Sequence, residues 1–484
     1  MLEDLTPSRR KSPAAILLAL WLPVAAIAGL AERIEKVADP KKHEDYSIHI
    51  VHPDSDAIIY TRDAREPLIP ASNMKLVTTA AAVHYLGGDF VYRTQVGLFG
   101  ETLVVIGSGD PLFGDDVTDR RHGREEGWIL ERIEERLREE GVSEISDIVV
   151  DSTVFDDERV HPSWPARDHN KWYACEVSGL NYNTNCIEVI ASKVGNSVAV
   201  MLDPPTTFVE ILNEVEPISV GQGAVGSNRT VQPNRITVFG KVKERQGPFR
   251  VAIEQPAAFF GFVLAEHLVR AGIGAKGKLI EGAFDNRDEL QVIHEFTTPL
   301  ADVLWRSNTD SLGLAAEALV KTIDAHGRRD RGNGGWAGGR ERIGEYLEGL
   351  GIGPEEFRID DGSGLSRENR LTTRAIAKIL LDLYHSQDWE MFRASLAVGG
   401  EEGTIDRYFN ESKYRGRIHG KTGYIRGVRS FSGVCLTKNG PYIFSVISNG
   451  PKGLSRDAIN GVARAIIDEY GGAERESSDG QDDS

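Results

Sequence analysis

The sequence predicts a mixed α/β fold in which an antiparallel sheet is covered by helices and interrupted by a large inserted α/β region. Alternating apolar residues predict antiparallel strands near both ends of the chain, over 46–61 and 430–448. Helical patterns dominate from about residue 297 onward. Short strands with Gly-, Gln- and Asn-rich turns over 194–255 predict a smaller β-rich insert within the inserted region.

These patterns divide the chain into a main body and an insertion that interrupts it. The strands near the two ends are expected to share one sheet, so the segments that carry them belong together. We predict a leader over 1–28, the main body over 44–95 and 297–470, the inserted region over 96–193 and 256–296, the β-rich insert over 194–255, and a disordered acidic tail over 471–484.

The N-terminal residues have the layout of a secretory signal peptide. Basic residues at 9–11 precede an apolar run over 14–31, and Ala26-Ile27-Ala28 supplies small residues for cleavage after Ala28. Retention as an N-terminal anchor is the alternative, and the absence of a nearby cysteine argues against a lipoprotein. We expect an exported protein, periplasmic or otherwise extracytoplasmic, that touches the membrane only if the leader is retained.

The first elements follow the leader in order. Residues 46–51 alternate as in a half-buried strand, and a second strand over 57–61 follows a turn. A helical stretch runs from Met74 to Leu86. The pattern over 128–140 predicts a charge-rich amphipathic helix with Ile129, Ile133 and Leu137 on one face.

The later elements return to the main body. The Arg- and Gly-rich residues 328–339 predict a mobile surface loop. Asn439-Gly440 between two apolar runs predicts a tight hairpin, because this pair favours the left-handed turn of two-residue loops. Helices are predicted over 259–271, 315–326 and 454–470.

Composition excludes some classes of function. The formal charge of −17 argues against a nucleic-acid partner, since phosphate binding requires a basic surface. Cys175, Cys186 and Cys435 are too few for a disulfide framework, although Cys175 and Cys186 could pair instead of packing as free thiols. No His-Glu-x-x-His or paired Cys-x-x-Cys spacing occurs, so no metal site and no cofactor are predicted.

The most specific chemical signal is a Ser-x-x-Lys pair combined with a distant Lys-Thr-Gly. Ser72 and Lys75 lie three residues apart, so a helix places both on one face, where a nucleophile and its base can share a cleft. Lys421-Thr422-Gly423 follows far downstream. Ser-x-x-Lys alone is weak, but the combination is typical of active-site serine enzymes that handle penicillin.

Further segments match one protein family in the same order: 68–79, 107–111, 172–181, 361–369, 400–405 and 446–450. With the two motifs, they make the chain similar to the D-alanyl-D-alanine carboxypeptidases/endopeptidases of the class C low-molecular-mass penicillin-binding proteins, over about 46–470. The resemblance implies a penicillin-binding transpeptidase-like fold and a serine-type D-Ala-D-Ala carboxypeptidase, with DD-endopeptidase activity as a further possibility. Its partners would be peptidoglycan stem peptides and β-lactam antibiotics.

The resemblance also implies roles for individual residues. Ser72 would be the nucleophile, Lys75 its base and Ser311 the group that passes a proton to the leaving amine. Burial and the charge of Lys421 are expected to lower the pKa of Lys75. His419 is expected to be structural, since the mechanism already has its base. The implied substrate-binding residues are Lys421, Thr422, Gly423 and Tyr424, with the backbone N–H groups of Ser72 and Tyr424 forming an oxyanion hole.

The chain departs from the family pattern at the third motif, Ser-x-Asn. This motif aligns with Ser311-Leu312-Gly313, so Gly313 stands where relatives have Asn. Asn308, one turn earlier, is a candidate substitute for the amide. Either the Asn is dispensable or replaced locally, or turnover is slowed by roughly one to two decades, the value of one hydrogen bond to a charged group.

Two other functions are weighed against the peptidase. One is a catalytically weakened peptidoglycan-binding protein of the same fold, which the intact Ser72, Lys75, Ser311 and Lys421 disfavour. The other is a β-lactamase or esterase, which the large insertion and the lack of a clear deacylating Glu motif disfavour. Carboxypeptidase and endopeptidase activity both stay open, because the sequence does not reveal the shape of the cleft.

Overall fold

The computed structural model describes residues 24–327 and 333–471 of the 484-residue chain. The helices are α1 (Val24–Val37), α2 (Met74–Leu86), α3 (Asp116–Arg121), α4 (Trp128–Glu139), α5 (Pro256–Arg270), α6 (Leu300–Asn308), α7 (Gly313–Gly327), α8 (Trp336–Gly349), α9 (Thr373–Tyr384), α10 (Trp389–Ala394) and α11 (Arg456–Tyr470). The strands are β1 (Tyr46–His52), β2 (Ala57–Arg62), β3 (Val91–Phe99), β4 (Thr102–Ile106), β5 (Glu144–Ile145), β6 (Ile148–Asp151), β7 (Cys186–Val194), β8 (Ser197–Asp203), β9 (Glu210–Pro217), β10 (Ala224–Arg229), β11 (Arg235–Val242), β12 (Arg245–Ala252), β13 (Gly274–Ala275), β14 (Leu279–Glu281), β15 (Gln291–Pro299), β16 (Phe357–Arg358), β17 (Arg370–Leu371), β18 (Ala397–Val398), β19 (Ile418–Ile425), β20 (Val428–Thr437) and β21 (Gly440–Asn449).

Strands from both ends of the chain form one six-stranded sheet, in the order β18-β19-β20-β21-β1-β2. Its pairings are antiparallel, and Tyr46 pairs with Ser448, which joins the first strand to the last. Helix α11 packs on β20 and β21 on one face, with α1 against α11, and α9 packs on β21 and β1 on the other. Helix α2 lies between α9 and α7. The predicted antiparallel sheet covered by helices is confirmed.

Strand β1 is more buried than the sequence pattern indicates. Every residue from Tyr46 to His52 is buried, whereas the alternation predicted a half-buried strand. Ile48 and Ile50 pack in the apolar core beneath α1 and α11. On the opposite face, the Ser47 hydroxyl lies 2.5 Å from that of Thr373 in α9. The half-buried prediction is wrong because helices cover both faces of the sheet.

The C-terminal hairpin agrees with its prediction. Thr437 pairs with Gly440, and Gly440 has φ +96°, a left-handed conformation that glycine adopts without strain. The helices expected over 74–86, 128–140, 259–271, 315–326 and 454–470 are present as α2, α4, α5, α7 and α11, with ends that differ by up to three residues.

The inserted region has its own sheets and core. A five-stranded sheet has the order β14-β6-β4-β3-β15, and two three-stranded sheets have the orders β12-β7-β8 and β10-β11-β9. Helices α4 and α5 contribute to the apolar core that these sheets share. Strands β3 and β15 belong to the five-stranded sheet over their whole length, so its elements span 91–299 and extend beyond the predicted 96–296. We keep the domain boundaries as a proposal.

The segment predicted as a mobile loop is helical in its second half. Helix α8 begins at Trp336, which is 1% exposed and donates through Nε1 to Glu317 Oε2 at 2.8 Å. Gly339 lets α8 approach α7, since a Cβ there would lie 2.2 Å from the Val320 carbonyl oxygen. The loop prediction is therefore wrong for 336–339. Residues 328–332 lie outside the described part of the chain.

The leader and the tail fall largely outside the described residues, which exclude 1–23 and 472–484. Helix α1 spans the predicted cleavage point after Ala28, and its Leu30 and Ile34 are fully buried. None of the described helices is long and apolar enough to cross a membrane. The three cysteines are buried free thiols, so the alternative in which Cys175 and Cys186 pair is not seen.

Candidate active site

Ser72 lies in a tight turn that leads directly into α2. The turn is a single 3₁₀ segment, Ala71–Asn73, and α2 starts at the next residue. Ala71 has φ +47°, an uncommon conformation for a residue with a side chain. Gly364 packs against it so closely that a Cβ on Gly364 would lie 1.8 Å from the Ala71 carbonyl oxygen. The segment that carries Gly364 therefore holds the backbone at Ser72 in place. This backbone lies at the N-terminus of α2, where the helix dipole is positive.

Lys75 is buried in the first turn of α2 and lines the same cleft as Ser72. It is 2% exposed, and its Nζ donates to the Ser363 carbonyl oxygen at 2.8 Å. Burial lowers the pKa of Lys75 to about 8, and the charges of Glu317 and Asp361 oppose this shift. Burial is thus the main cause, while the repulsion predicted between the two lysines acts chiefly on Lys421.

Glu317 in α7 holds the loop whose carbonyl binds Lys75. Its carboxylate is fully buried and accepts from the backbone N–H of Ser363 at 2.7 Å and of Gly362 at 3.0 Å. The Trp336 indole N–H is its third donor. Burial raises the pKa of Glu317, but every one of these neighbours donates and none accepts a proton. The arrangement therefore suits the carboxylate form.

Asp361 completes the support of this loop from within. It is fully buried and accepts from the backbone N–H of Gly364 at 2.8 Å and of Ser366 at 2.7 Å. The Trp164 indole and the Asn369 amide donate to the same carboxylate, at 2.9 and 2.6 Å. Two buried carboxylates thus determine where the Ser363 carbonyl lies, and through it where the Lys75 amine lies.

Strand β19 passes close to the nucleophile. A Cβ on Gly423 would lie 2.9 Å from the Ser72 backbone nitrogen and 2.2 Å from Ser430 Oγ, so only glycine allows this approach. The Thr422 hydroxyl donates to that of Thr404 at 2.9 Å at the edge of the cleft. Tyr424 is 59% exposed and also lines the cleft.

Lys421 is not among the residues that line the cleft. It is fully buried, and its Nζ donates to the Thr422 carbonyl oxygen at 3.0 Å. Burial, followed by the charge of Lys75, lowers the pKa of Lys421 well below its usual value, and Asp310 opposes them. His419 also does not line the cleft, and burial lowers its pKa to about 4. It fits a structural role.

Ser311 and Gly313 of the third motif lie at the cleft, whereas Asn308, the candidate substitute for the motif amide, lies in the core. Ser311 has φ +63° in the short connection between α6 and α7, and it lines the cleft together with Gly313. A Cβ on Gly313 would lie 3.0 Å from the Tyr173 carbonyl oxygen. Asn308 is fully buried, and its amide donates to Ser395 Oγ at 2.9 Å. Asn308 therefore does not supply the missing amide to the cleft.

The cleft has a volume of about 600 Å³ and joins residues from distant parts of the sequence. Six predicted site residues line it: Ser72, Lys75, Ser311, Gly313, Thr422 and Tyr424. Sequence reasoning gave no role to other lining residues, among them Ser163, Arg167, Asp168, Trp172, Tyr173 and Arg367. Trp172 and Tyr173 stood in a matching family segment, but an aromatic pair there is equally compatible with a core position.

The described residues contain no group of three or more His, Cys, Asp or Glu side chains placed to hold a metal ion. The chemistry available in the cleft is that of a buried amine of lowered pKa, serine hydroxyls, and backbone N–H groups at a strand edge and a helix N-terminus. These groups suit nucleophilic attack on a carbonyl.

The chain is similar in sequence to known D-alanyl-D-alanine carboxypeptidases. The chain is 30% identical to the D-alanyl-D-alanine carboxypeptidase of Actinomadura sp. (strain R39) over 448 residues, 86% of this chain and 79% of that protein. It is 22% identical to D-alanyl-D-alanine carboxypeptidase DacB of Haemophilus influenzae over 391 residues, 77% of this chain and 78% of that one.

Solved structures share the fold. Penicillin binding protein 4 (dacB) from Haemophilus influenzae superposes with a TM-score of 0.74 at 19% identity, covering 92% of this chain and 99% of that one. Its complex with a β-lactam superposes with a TM-score of 0.69 at 18% identity, with the same coverage. A model of the D-Ala-D-Ala carboxypeptidase 3 (S13) family matches residues 30–468. Because this match covers most of the sequence, the chain belongs to the D-Ala-D-Ala carboxypeptidase 3 (S13) family.

Proposed function

We propose that this protein is a serine-type D-Ala-D-Ala carboxypeptidase that acts on peptidoglycan stem peptides through an acyl-enzyme on Ser72, and that β-lactams acylate the same serine. The observation that carries the proposal is the fully buried Lys75, with its pKa lowered to about 8, in one cleft with Ser72. Family membership and relatives named as carboxypeptidases support it. A β-lactam complex of a protein with the same fold supports the inhibitor class.

Lys75 would act as the base in its neutral form. A neutral amine has two N–H groups and one lone pair, so it can donate to the Ser363 carbonyl and still accept the proton of Ser72. With a pKa of about 8, about a tenth of the molecules carry the neutral amine at pH 7. The Ser72 oxygen then attacks the carbonyl carbon of the penultimate D-Ala.

The negative charge that develops on the carbonyl oxygen needs donors. The backbone N–H groups of Ser72 and Tyr424 are the proposed pair, and the close approach of Gly423 to Ser72 supports their proximity. Loss of one such donor typically reduces the rate about a hundredfold or more. Gly423 therefore acts by allowing the strand to lie against the nucleophile.

The terminal carboxylate of the substrate would bind at β19. Thr422 lines the cleft, and its hydroxyl, which donates to Thr404 Oγ1 in the structure, would turn to donate to the carboxylate when the substrate binds. Lys421 is fully buried and its Nζ donates to the Thr422 carbonyl oxygen, so we assign it to holding the Thr422 backbone in place beside the cleft. This differs from direct binding by both residues, which the family resemblance implies.

Acyl transfer is completed by proton delivery to the leaving amine. As the C–N bond breaks, Ser311 Oγ would pass a proton to the departing D-Ala and regain one from Lys75, which received it from Ser72. Water then attacks the ester, and the Ser72 oxygen leaves with a proton. Cleavage of a cross-link follows the same steps with a longer leaving group, so endopeptidase activity is part of the proposal.

Such an enzyme meets its substrate outside the cytoplasmic membrane. The basic and apolar pattern of residues 1–28 supports export by a signal peptide, and we propose an extracytoplasmic location, periplasmic where an outer membrane is present.

Labelling with a fluorescent penicillin, followed by intact mass, tests the proposal. The natural chain is expected to gain one acyl group, and Ser72→Ala is expected to gain none. Ser163→Ala is the matched control, because Ser163 lines the same cleft but bonds to His161 and Asp360. Labelling that survives Ser72→Ala, or a folded natural chain that is never labelled, would contradict the assignment.

A further inference from the structure

A second pocket adjoins the cleft on the far side of β19. It has a volume of about 230 Å³, and we call it the arginine pocket. Its walls come from β19, β20, the start of α11 and the segment that follows β18. Thr404, Thr422 and Tyr424 line both the arginine pocket and the cleft, whereas Ser72, Lys75 and Ser311 line only the cleft. The two spaces are thus neighbours that share one rim.

The arginine pocket is positively charged in an acidic protein. Arg429 and Arg456 both line it, and no Asp or Glu occurs among its described lining residues. Neither arginine forms an ion pair with a described residue, although the whole chain carries a formal charge of −17. Two guanidinium groups without a counter-charge at one small pocket indicate an anionic ligand, since arginine forks match carboxylate geometry.

Aromatic rings position the two arginines. Arg429 lies over the Tyr424 ring, 4.7 Å from its centroid, and Arg456 donates to the Tyr408 hydroxyl while lying 5.4 Å from the centroid of that ring. These contacts hold the guanidinium groups without neutralising them. Arg456 is also the first residue of α11, whose N-terminus adds a partial positive charge.

The floor of the pocket combines apolar and polar groups. Phe431 and Ile459 are buried there, and Asn460 is 3% exposed with an Nδ2 that has no hydrogen-bond partner. A buried amide without a partner is uncommon and costly, and an acceptor atom of a ligand nearby would remove that cost. The pocket therefore offers charge at its rim and apolar contact below.

Its place relative to the cleft identifies which part of a substrate it faces. In the proposed reaction, Thr422 binds the carboxylate of the residue that leaves. The arginine pocket begins beyond the bonded hydroxyls of Thr422 and Thr404, so it lies further along the leaving group than that first carboxylate. A single D-Ala ends at Thr422, but the second stem peptide of a cross-link continues past it.

We propose that the arginine pocket binds a carboxylate of the second stem peptide when the substrate is a cross-linked pair, and so favours endopeptidase cleavage. This inference rests on the proposed function and adds a subsite to it. The ligand class is an acidic peptide on the leaving side of the scissile bond. Carboxypeptidase substrates, which lose only D-Ala, do not reach the pocket.

The test compares two substrates that share the same scissile bond. One is an uncross-linked pentapeptide ending in D-Ala-D-Ala, and the other is a dimer cross-linked through D-Ala. For Arg429→Gln/Arg456→Gln, we expect kcat/KM for the dimer to fall about tenfold or more, the loss typical of charge-assisted hydrogen bonds. The pentapeptide kcat/KM and the rate of penicillin acylation should stay within about twofold.

Arg358→Gln is the matched control, because it removes a positive charge from an exposed surface pair with Glu368. Penicillin acylation of each variant reports that the fold and Ser72 are intact. An equal loss on both substrates would place the shared terminal carboxylate in the pocket and overturn the proposal. Unchanged dimer cleavage, or a natural chain that cleaves only the pentapeptide, would also overturn it while leaving the carboxypeptidase assignment in place.

Inorganic phosphate provides a second measurement on the natural chain, where misfolding is no concern. As a small oxyanion, it should inhibit dimer cleavage competitively and leave pentapeptide hydrolysis unaffected, at constant ionic strength. The double arginine variant should lose this inhibition. Equal inhibition of the two substrates by phosphate would count against a subsite reserved for the leaving peptide.

Discussion

Carboxylates are crowded in two regions of this molecule, and the two regions differ in how many N–H donors they supply to these groups. Beside Lys75, Glu317 accepts three hydrogen bonds and Asp361 accepts four, all from backbone or side-chain N–H groups. In the inserted region, carboxylates surround a cavity of about 300 Å³, which we call the acidic cavity. Its acidic lining residues are Asp116, Glu126, Glu131, Glu188 and Asp203.

In the acidic cavity, protonation of Glu126 reduces the repulsion between neighbouring carboxylates. A hydrogen bond to Asp203, followed by the charge of Asp203, raises the pKa of Glu126 to about 7. Near Lys75 the carboxylates are instead satisfied by donors and can keep their charge. N–H donors thus turn buried charge into a fixed local field, whereas carboxylates that face one another become a site of pH-dependent stability.

Glu317→Gln is expected to have the largest effect, because it breaks the donor-rich arrangement. A glutamine presents one acceptor oxygen, and its NH₂ faces the N–H groups of Gly362 or Ser363, so the loop must move. A shift of about 1 Å at a catalytic group can cost about a hundredfold. We expect a loss of this order in the rate of penicillin acylation, measured by stopped-flow labelling.

The pH profile separates this positioning role from a general loss of structure. Glu317 raises the pKa of Lys75, so its neutralisation should move the alkaline rise of acylation below pH 8. Glu356→Gln is the matched control, because Glu356 is 2% exposed, pairs with Arg374, and does not line the cleft. Glu317→Gln and Glu356→Gln profiles with the same midpoint would contradict the role.

The natural chain should show the corresponding pH dependence. Lys75 accepts a proton only when neutral, and burial places its pKa at about 8. The acylation rate should therefore rise about tenfold from pH 7 to pH 9, as the neutral fraction grows from about a tenth to about nine tenths. Measurement of the rate at constant ionic strength checks this. A rate that is flat across this range would exclude Lys75 as the base.

The comparison also explains what the sequence could predict. The Ser-x-x-Lys spacing and the Asn-Gly hairpin are local signals, so α2 with its serine and the C-terminal β-hairpin followed from a few adjacent residues. The partners of Glu317 could not be predicted in this way, because Trp336 and Gly362 join it only after α7 and α8 have packed together. Periodicity shows that α7 is helical but does not say which backbone groups its two buried acids, Glu317 and Asp324, support.

The burial of individual side chains and their distant partners could not be predicted from the sequence either. Direct binding of the substrate by Lys421 stays a prediction, and its full burial did not follow from the strand pattern, which leaves open which face of β19 meets the core. Asn308 was a plausible replacement for the motif amide by spacing alone, yet its partner Ser395 lies 87 residues away in sequence. The unpaired arginines of the arginine pocket come from separate elements, and no motif unites them.

Gly313→Asn adds an amide to the cleft at the position where the chain departs from the family pattern. In the structure, the recorded acceptor of Lys75 Nζ is the Ser363 carbonyl oxygen, and an Asn oxygen could be another. The new Cβ would lie 3.0 Å from the Tyr173 carbonyl oxygen, so this segment must shift by a few tenths of an ångström. We expect D-Ala release to increase, by up to about tenfold.

Gly313→Ala separates the amide from the added bulk, since it introduces the same Cβ without the polar group. Its rate should equal or fall slightly below that of the natural chain. If the Asn and Ala variants release D-Ala at the same rate, the amide has no role in this cleft and the departure from the family pattern is neutral.

Glu126→Gln tests the acidic cavity and should have the smallest effect, on stability and not on activity. Glu126 has a folded pKa of about 7, above its ordinary 4.5, so the stability that it contributes is present at acidic pH and lost as pH rises through 7. Glutamine is uncharged at both acidic and alkaline pH. The variant should therefore unfold at a higher temperature than the natural chain at pH 8, by about one degree because the site is largely exposed. At pH 5 the unfolding temperatures of the variant and the natural chain should coincide.

A difference in the unfolding temperature that is larger at pH 5 than at pH 8 would mean that Glu126 is stabilised as a carboxylate, and the contrast between the two regions would fail.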